Sequence, residues 1–181
     1  ENSAQEEVCE KLKRDLQLLT SKRGIFVLNI NERGLAPAGA SPQFQKFLNS
    51  FSFPSIILSA REELDSAEFG DEERKEVGLG PAKLPELIRL AYETLGLITF
   101  FTTGEDETRA WTIKKGTLAP QAAGVIHTDF EKKFICADVI FWSALLEAGS
   151  WSEAKTKGMV QTVGKEYDIK DGDVIEVKHG A

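Results

Sequence analysis

The sequence is short of the residues on which metal, disulfide and thiol chemistry depends. Its 181 residues hold only two cysteines, two histidines and one methionine. Cys9 and Cys136 are too few and too far apart for a disulfide framework, so two free thiols in a reducing cytoplasm are expected. With His127 and His179 the only imidazoles, no His-based zinc site is expected. No apolar run is long enough to cross a membrane, and the start lacks the basic and apolar regions of a secretory signal. No membrane partner and a cytoplasmic location follow as expectations. The net charge of −7 argues against a generally basic nucleic-acid binder, although local basic patches stay open. The phosphate-cradling pattern Gly-x-x-x-x-Gly-Lys-[Ser/Thr] is absent, as are internal repeats and low-complexity segments. What is left is ordinary for a soluble globular protein, 41% hydrophobic and 28% charged, with length for one domain or two small ones.

Ser3 and Glu6 fit a capping box, and Val8, Leu12, Leu16 and Leu19 repeat at helical spacing, so the pattern predicts a helix to about Thr20, broken by Gly24. The apolar run Ile25–Ile30 suits a strand buried on both faces of a parallel sheet. Ser41–Pro42 starts a second helix, with Phe44, Phe47, Leu48 and Phe51 as its apolar face. Ser55–Leu58 is a second short buried strand, completing a βαβ unit. The acidic run Arg61–Gly80 reads as a solvated helix and a joint at Gly78–Pro81. Leu84, Leu87, Ile88, Ala91 and Leu95 then mark an amphipathic helix stopped by Gly96. Two parallel strands do not make a doubly wound sheet, so the first part expects neighbours that this chain does not supply.

The second part is more explicit. A hairpin is predicted from ITFFT through a turn at Gly104–Asp106 into the strand Arg109–Ile113, followed by a basic turn closed by Gly116 and a helix over Gln121–Ile126. Phe100 and Phe101 should point to opposite faces of their strand. The segment DGDVIEV places a tight turn at Asp171–Gly172 before a last strand, read as part of a closing hairpin. Hairpin, helix, strand, helical region, hairpin is the order of a ubiquitin-like β-grasp. The stretch GLITFFTTGEDETRAWTIKKGTLAPQAAGVIHTDFEKKFICADVI resembles, nearly without gaps, the TGS domain that ends the Obg-like ATPases of the YchF family.

That resemblance implies a division of the whole chain. Residues 1–80 are the incomplete C-terminal portion of a P-loop ATPase domain, an α/β remnant. Residues 81–96 are a linking helix, and residues 97–181 are an α+β ubiquitin-like β-grasp, the TGS domain. Asn29-Ile30-Asn31-Glu32 matches the family's Asn-x-x-Glu motif and Ser59–Ala60 its Ser-Ala loop. These six residues are the implied nucleotide-base contacts, at the C-terminal ends of neighbouring strands, where open α/β sheets bind ligands. An Asn amide carries both a donor and an acceptor for a purine edge. Ile30 replaces the lysine usual in guanine-specific relatives, and Glu32 takes the place of their aspartate, in keeping with the family's preference for ATP over GTP. The full-length family works with ATP and Mg2+ and associates with ribosomes. This chain, without a P-loop, is expected to hold neither ATP nor Mg2+ tightly and to have no catalytic residue of its own. Lys114, Lys115, Lys132 and Lys133 are the candidates for contact with ribosomal RNA phosphate; as a bland alternative, such pairs are solvated surface, as are Lys155 and Lys157. His127 reads as packed and Asp129 as a turn or cap residue, with Trp111, Trp142 and Trp151 core or half-buried. Gly116 and Gly124 mark tight backbone geometry. The alternative function is a stand-alone β-grasp interaction module without activity. A modifier carrier would need a Gly-Gly terminus, which His179-Gly180-Ala181 does not provide.

Overall fold

A computed structural model describes residues 8, 11–13, 15–30, 46, 50, 53–104 and 107–180. The chain forms two compact units, residues 1–94 and 95–181.

In the first unit, residues 11–13 and 15–16 are helical, and the turn at Gln17 (φ 46°) precedes a 3-10 turn at Leu19–Ser21. Leu12, Leu16 and Leu19 lie exposed along this segment. Strand β1 (Phe26–Asn29) pairs in parallel with β2 (Ser55–Leu58), with Phe26 opposite Ser55 and Asn29 opposite Leu58. Sequence reading expected β1 to be buried on both faces. Instead Phe26 and Val27 are exposed, because the sheet has only these two strands among the described residues. The helix expected from Ser41, with its four apolar residues, lies outside the described residues except for Lys46, which is helical.

The acidic run forms two helices. Helix α1 (Ala60–Asp65) is capped by Ser59, and α2 (Asp71–Glu76) starts at Gly70, whose N–H donates to Glu73 Oε2 at 2.8 Å. Asp71, Glu72 and Glu73 fill the first turn of α2 while Arg74 and Lys75 fill its last, each sign at the end the helix dipole favours. Helix α3 (Leu84–Leu95) ends at Gly96, which takes the left-handed conformation (φ 66°) that ends a helix without a Cβ penalty. Its half-buried face is rotated from the one the spacing suggested. Leu87, Leu90 and Ala91 are half-buried, whereas Leu84, Ile88 and Leu95 are exposed.

The second unit is a five-stranded sheet with helices on both faces. Strands β3 (Leu97–Thr103) and β4 (Thr108–Lys114) form an unbroken antiparallel hairpin from Leu97–Lys114 to Thr103–Thr108. Glu105 and Asp106 of its turn lie outside the described residues. Helices α4 (Ala119–Ile126) and α5 (Thr128–Lys132) follow, then β5 (Phe134–Phe141), α6 (Trp142–Ala148), α7 (Trp151–Thr156), β6 (Gln161–Val163) and β7 (Asp173–His179). The sheet order is β4-β3-β7-β5-β6, with β3 and β7 parallel and the other neighbours antiparallel. The closing hairpin expected from sequence is therefore corrected. β6 pairs with the far edge of β5, while β7 enters the middle of the sheet and satisfies the inner backbone groups of β3 and β5 at once.

Strand alternation divides the core between the two faces. On one face Phe100, Ile113, Phe134, Ala137 and Ile175 pack with Ala119, Ala122 and Ala123 of α4, small side chains that let the helix lie close to the sheet. On the other, Ile140 and Val174 pack with Ala148 and Ala154, backed by Phe101, Leu145 and Trp151. Phe100 and Phe101 thus divide between the faces as the period of two requires. The turn before β7 is built by Asp171 and Gly172: Asp171 Oδ1 accepts from Thr99 N–H at 2.7 Å, and Gly172 donates to the Thr99 carbonyl at 2.8 Å.

Candidate functional site

Parallel pairing of β1 and β2 ends at Asn29 and Leu58, so Asn29, Ile30, Ser59 and Ala60 meet at one edge of the first unit. Two hydrogen bonds join them. The Ile30 N–H donates to the Leu58 carbonyl at 3.0 Å, and the Ala60 N–H donates to Asn29 Oδ1 at 3.0 Å. Ser59 is buried, and its Oγ accepts from the Glu62 N–H at 3.2 Å, satisfying one of the free amides that begin α1. Four of the six sequence-derived base-contact residues are thereby brought together; Asn31 and Glu32 lie outside the described residues. The arrangement also states what Asn29 has left to offer. Its carbonyl oxygen accepts from the Ser-Ala loop, and both donors of its amide N–H2 remain for a base at this edge.

Against the same loop lies a group that no sequence pattern marks. Arg74, expected on a solvated helix, is buried (3% exposed). Its Nε donates to the Gly80 carbonyl at 2.9 Å, one terminal nitrogen to Ser66 Oγ, and the other to Glu63 Oε1 at 3.4 Å, with Glu62 Oε1 3.8 Å away. The Glu63 carboxylate in turn accepts from the N–H groups of Lys83 and Leu84, both at 3.0 Å, at the start of α3. One ion pair thus fastens α1, α2, the Gly78–Pro81 joint and α3. A cavity of about 820 Å³ lies against it, lined by Ser59, Glu63, Ser66, Leu79 and Lys83 among others. The only hint in the sequence was an arginine inside an acidic run, a pattern that usually means solvent.

The four candidate lysines are exposed but not together. Lys114 ends β4 opposite Leu97, at the end of the sheet where β3 and β7 begin. Lys132 and Lys133 lead into β5, whose first residue Phe134 faces His179, the last residue of β7. The pairs therefore lie at opposite ends of the sheet, separated by the length of a seven-residue strand, about 20 Å. Lys155 is engaged, 2.9 Å from Glu176 and 3.3 Å from Asp138, with its Nζ also 5.5 Å from the Trp151 ring centre. Asp138 is the centre of that group, 2.7 Å from Lys178 Nζ and accepting from Thr162 at 2.6 Å. Burial alone would raise its pKa, but hydrogen bonds from Lys178, Thr162 and Lys155 outweigh burial and hold it below the usual carboxylate value. Asp173, also buried, is instead pushed up by burial, although the Lys170 N–H and the Tyr167 hydroxyl both donate to it. Burial and the Asp173 carboxylate push Tyr167 up to about 12.

His127, read from sequence as packed, is mostly exposed and is itself the cap of α5. Its Nδ1 accepts from the Asp129 N–H at 3.3 Å, so Asp129 sits in the first turn. Trp111 and Trp151 are half-buried and Trp142 is exposed. Cys136 is a half-buried free thiol. Among the described residues no group of three His, Cys, Asp or Glu side chains could hold a metal ion, and no helix is long and apolar enough to cross a membrane.

Residues 97–180 match the family described as YchF-GTPase_C, Protein of unknown function (DUF933). Over 176 residues the chain is 40% identical to "Ribosome-binding ATPase YchF" of Bacillus subtilis, covering 93% of this chain and 48% of that protein. Over 167 residues it is 37% identical to "Obg-like ATPase 1" of Homo sapiens, covering 88% of this chain and 42% of that one. The solved Schizosaccharomyces pombe YchF GTPase superposes with a TM-score of 0.81 at 36% identity, over 93% of this chain and 46% of that one. The chain spans about half the length of the curated relatives it matches.

Proposed function

We propose, for a chain that belongs to the YchF family of Obg-like ATPases and corresponds to its C-terminal part, that it carries the base-recognising strand ends of a nucleotide site and a β-grasp module that docks on the ribosome in the cytoplasm. The observation that carries the first half is the bond from Ala60 N–H to Asn29 Oδ1, which ties the two strand ends into one ledge. In this reading Asn29, Ile30, Asn31, Glu32, Ser59 and Ala60 meet an adenine edge, Asn29 through its amide N–H2 and Ile30 through its backbone. ATP and Mg2+ fit the residues present only at the base. No P-loop occurs in the sequence, and among the described residues no carboxylate or imidazole cluster suits the ion. Phosphoryl transfer depends on cradled phosphates and a held Mg2+, so the chain taken alone turns over no ATP and binds it weakly. Base contacts by themselves must still offset the entropy lost on association. The test is calorimetric titration of the 181-residue chain with ATP, with phosphate release measured alongside the Asn29→Ala variant. Tight binding, or turnover abolished by Asn29→Ala, would refute this.

The β-grasp reading rests on the strand order β4-β3-β7-β5-β6 with its parallel middle pair. That order, with α4 packed across one face, supports the reading of a ubiquitin-like TGS domain. Ribosome docking is supported by the names of the bacterial relatives, "Ribosome-binding ATPase YchF", with Lys114, Lys115, Lys132 and Lys133 as the exposed charges available to RNA phosphate. Co-sedimentation of the chain with ribosomes across a salt series tests it. Pelleting that falls as salt rises is expected, and a chain that stays in the supernatant at low salt would end the docking reading.

A further inference from the structure

The lysine pairs are not equivalent among the described residues, because a cavity lies at the end of the sheet that Lys132 and Lys133 lead into. On the α4 face, near the ends of β3 and β7 and the start of β4, a recess of about 350 Å³ is lined by Trp111, Arg109, Thr102, Val177, Ile126 and Phe130. Its polar groups are ordered by the walls. Trp111 Nε1 donates to Thr102 Oγ1 at 2.9 Å, and the Arg109 guanidinium carbon lies 4.9 Å from the centre of the Trp111 ring. Phe130 stacks on His179 at 4.5 Å, with the rings 19° apart, and lies 5.6 Å from His127. Glu107 at the mouth has its charge met by Arg109 at 3.2 Å. Phe130 belongs to α5, and the exposed Lys132 and Lys133 follow it closely in the chain.

We infer that this recess takes one unpaired nucleobase of a single-stranded RNA, with the neighbouring phosphates on Lys132 and Lys133. The proposal rests on the ribosome-docking reading for its choice of partner and deepens it to a site. The volume is near the lower end for ligand pockets, so a single nucleoside is the scale it suits, and a base pair is not. Aromatic walls stack on a base of any kind, since every base has a π-face, and positive charge beside the platform tracks the backbone. Arg109 is planar, exposed and already lies over a ring, so it can close over a base or turn to a phosphate. Thr102 accepts from Trp111 and keeps its own hydroxyl hydrogen to offer a base edge. Lys114 and Lys115 lie outside the recess, at the other end of the sheet.

The probe is a 5′-fluorescein-labelled single-stranded RNA octamer of mixed sequence, followed by anisotropy with the whole 181-residue chain over a salt series. Binding that weakens steeply with salt is expected. K132Q/K133Q should weaken it and lower the salt slope by about 1.4, about 0.7 for each single-strand phosphate no longer neutralised, a larger loss than K114Q/K115Q produces from the other end of the sheet. Phe130→Leu keeps an apolar side chain but removes the π-face, and should weaken binding about tenfold with the thermal melt showing the fold kept. W111F retains a ring and should weaken binding less, which separates stacking from loss of structure. A fully duplex competitor should fail to displace the octamer. No anisotropy change at low salt, equal competition by duplex, or equal effects from the two lysine pairs would each overturn the assignment. Saturation of Trp111 and Phe130 resonances by free AMP, with no displacement by the octamer, would make a free nucleotide the occupant and overturn it as well. Co-sedimentation of F130L with ribosomes separates the two readings. Undiminished pelleting of F130L sinks the pocket alone, and octamer binding by the parent chain without pelleting sinks the ribosome reading alone.

Discussion

Replacing Arg74 by methionine tests whether the first unit is held together by one buried cation. Methionine keeps length and apolar contact but leaves Glu63, Ser66 Oγ and the Gly80 carbonyl without their donor. Removing one partner of a buried pair costs about 3–5 kcal/mol, because the charge left behind is uncompensated. Glu63 retains the Lys83 and Leu84 N–H groups, so the lower end, about 3 kcal/mol, applies. At 1.4 kcal/mol per tenfold this is roughly a 150-fold rise in the population of locally open molecules. Hydrogen exchange read peptide by peptide is the right assay, because the chain has two compact units and one melting temperature would average them. Amides of α1 and α3 should exchange roughly a hundredfold faster in the variant, and those of β3 and β7 should not change. Glu63→Gln keeps a cap acceptor for α3 but gives up the pairing, and the double variant should cost less than the two singles together. A change below about fivefold in α1 and α3, under about 1 kcal/mol, would mean that Arg74 is satisfied without the carboxylates and is not the linchpin of this unit.

Gly172→Ala should destabilise the second unit by about 2–5 kcal/mol. It adds a left-handed strain of about 1–2 to an overpacking cost of about 1–3, since φ is 87° and a Cβ would lie 2.6 Å from the Phe141 ring and 2.8 Å from Trp142; a melt within 2 °C of the parent would contradict this. Asn29→Ala should cost about 1 kcal/mol and speed exchange at the Ala60 amide, the donor it orphans. Asp138 and Asp173 should act oppositely in acid. The depressed pKa of Asp138 gives stability that is present above the unfolded value of about 4 and is lost as pH falls through its lower folded pKa, so Asp138→Asn should flatten the acid loss. The raised pKa of Asp173 means that the folded chain takes up the proton more readily and gains stability as pH falls through that value. Asp173→Asn should therefore steepen the acid loss, and parallel acid limbs for the two variants would refute the assignment.

What could be read from sequence was what repeats locally. The hairpin β3–β4, the stop at Gly96 and the turn at Asp171–Gly172 each follow from residues adjacent in the chain, and each is found where the pattern put it. The position of β7 was not legible. Nothing local to DGDVIEV says whether the strand returns to its predecessor or slots between β3 and β5; that choice is made by the unpaired inner edges of two strands far apart in sequence. Burial of β1 was not legible for the same reason, since an apolar run declares that it wants two covered faces and not whether they are supplied.

At the candidate sites, residue identity was visible and pairing was not. Asn29 and Ser59–Ala60 could be named as strand-end residues, but that the Asn29 oxygen is committed to the Ala60 amide needs the parallel register of β1 and β2. Arg74 and Lys155 show the limit most clearly. Both sit among charges and read as solvated; one is buried among carboxylates of its own run, and the other is tied to Asp138 and Glu176. A charged residue's partner is set by tertiary neighbours, so periodicity carries no trace of it. The lysine pairs make the same point for function. In sequence Lys114–Lys115 and Lys132–Lys133 are equivalent basic doublets, and only the register of β3 with β4 and of β5 with β7 sends them to opposite ends of one sheet. A surface that attracts RNA through charge alone would use both ends alike, whereas the proposed stacking recess at one end would break that symmetry.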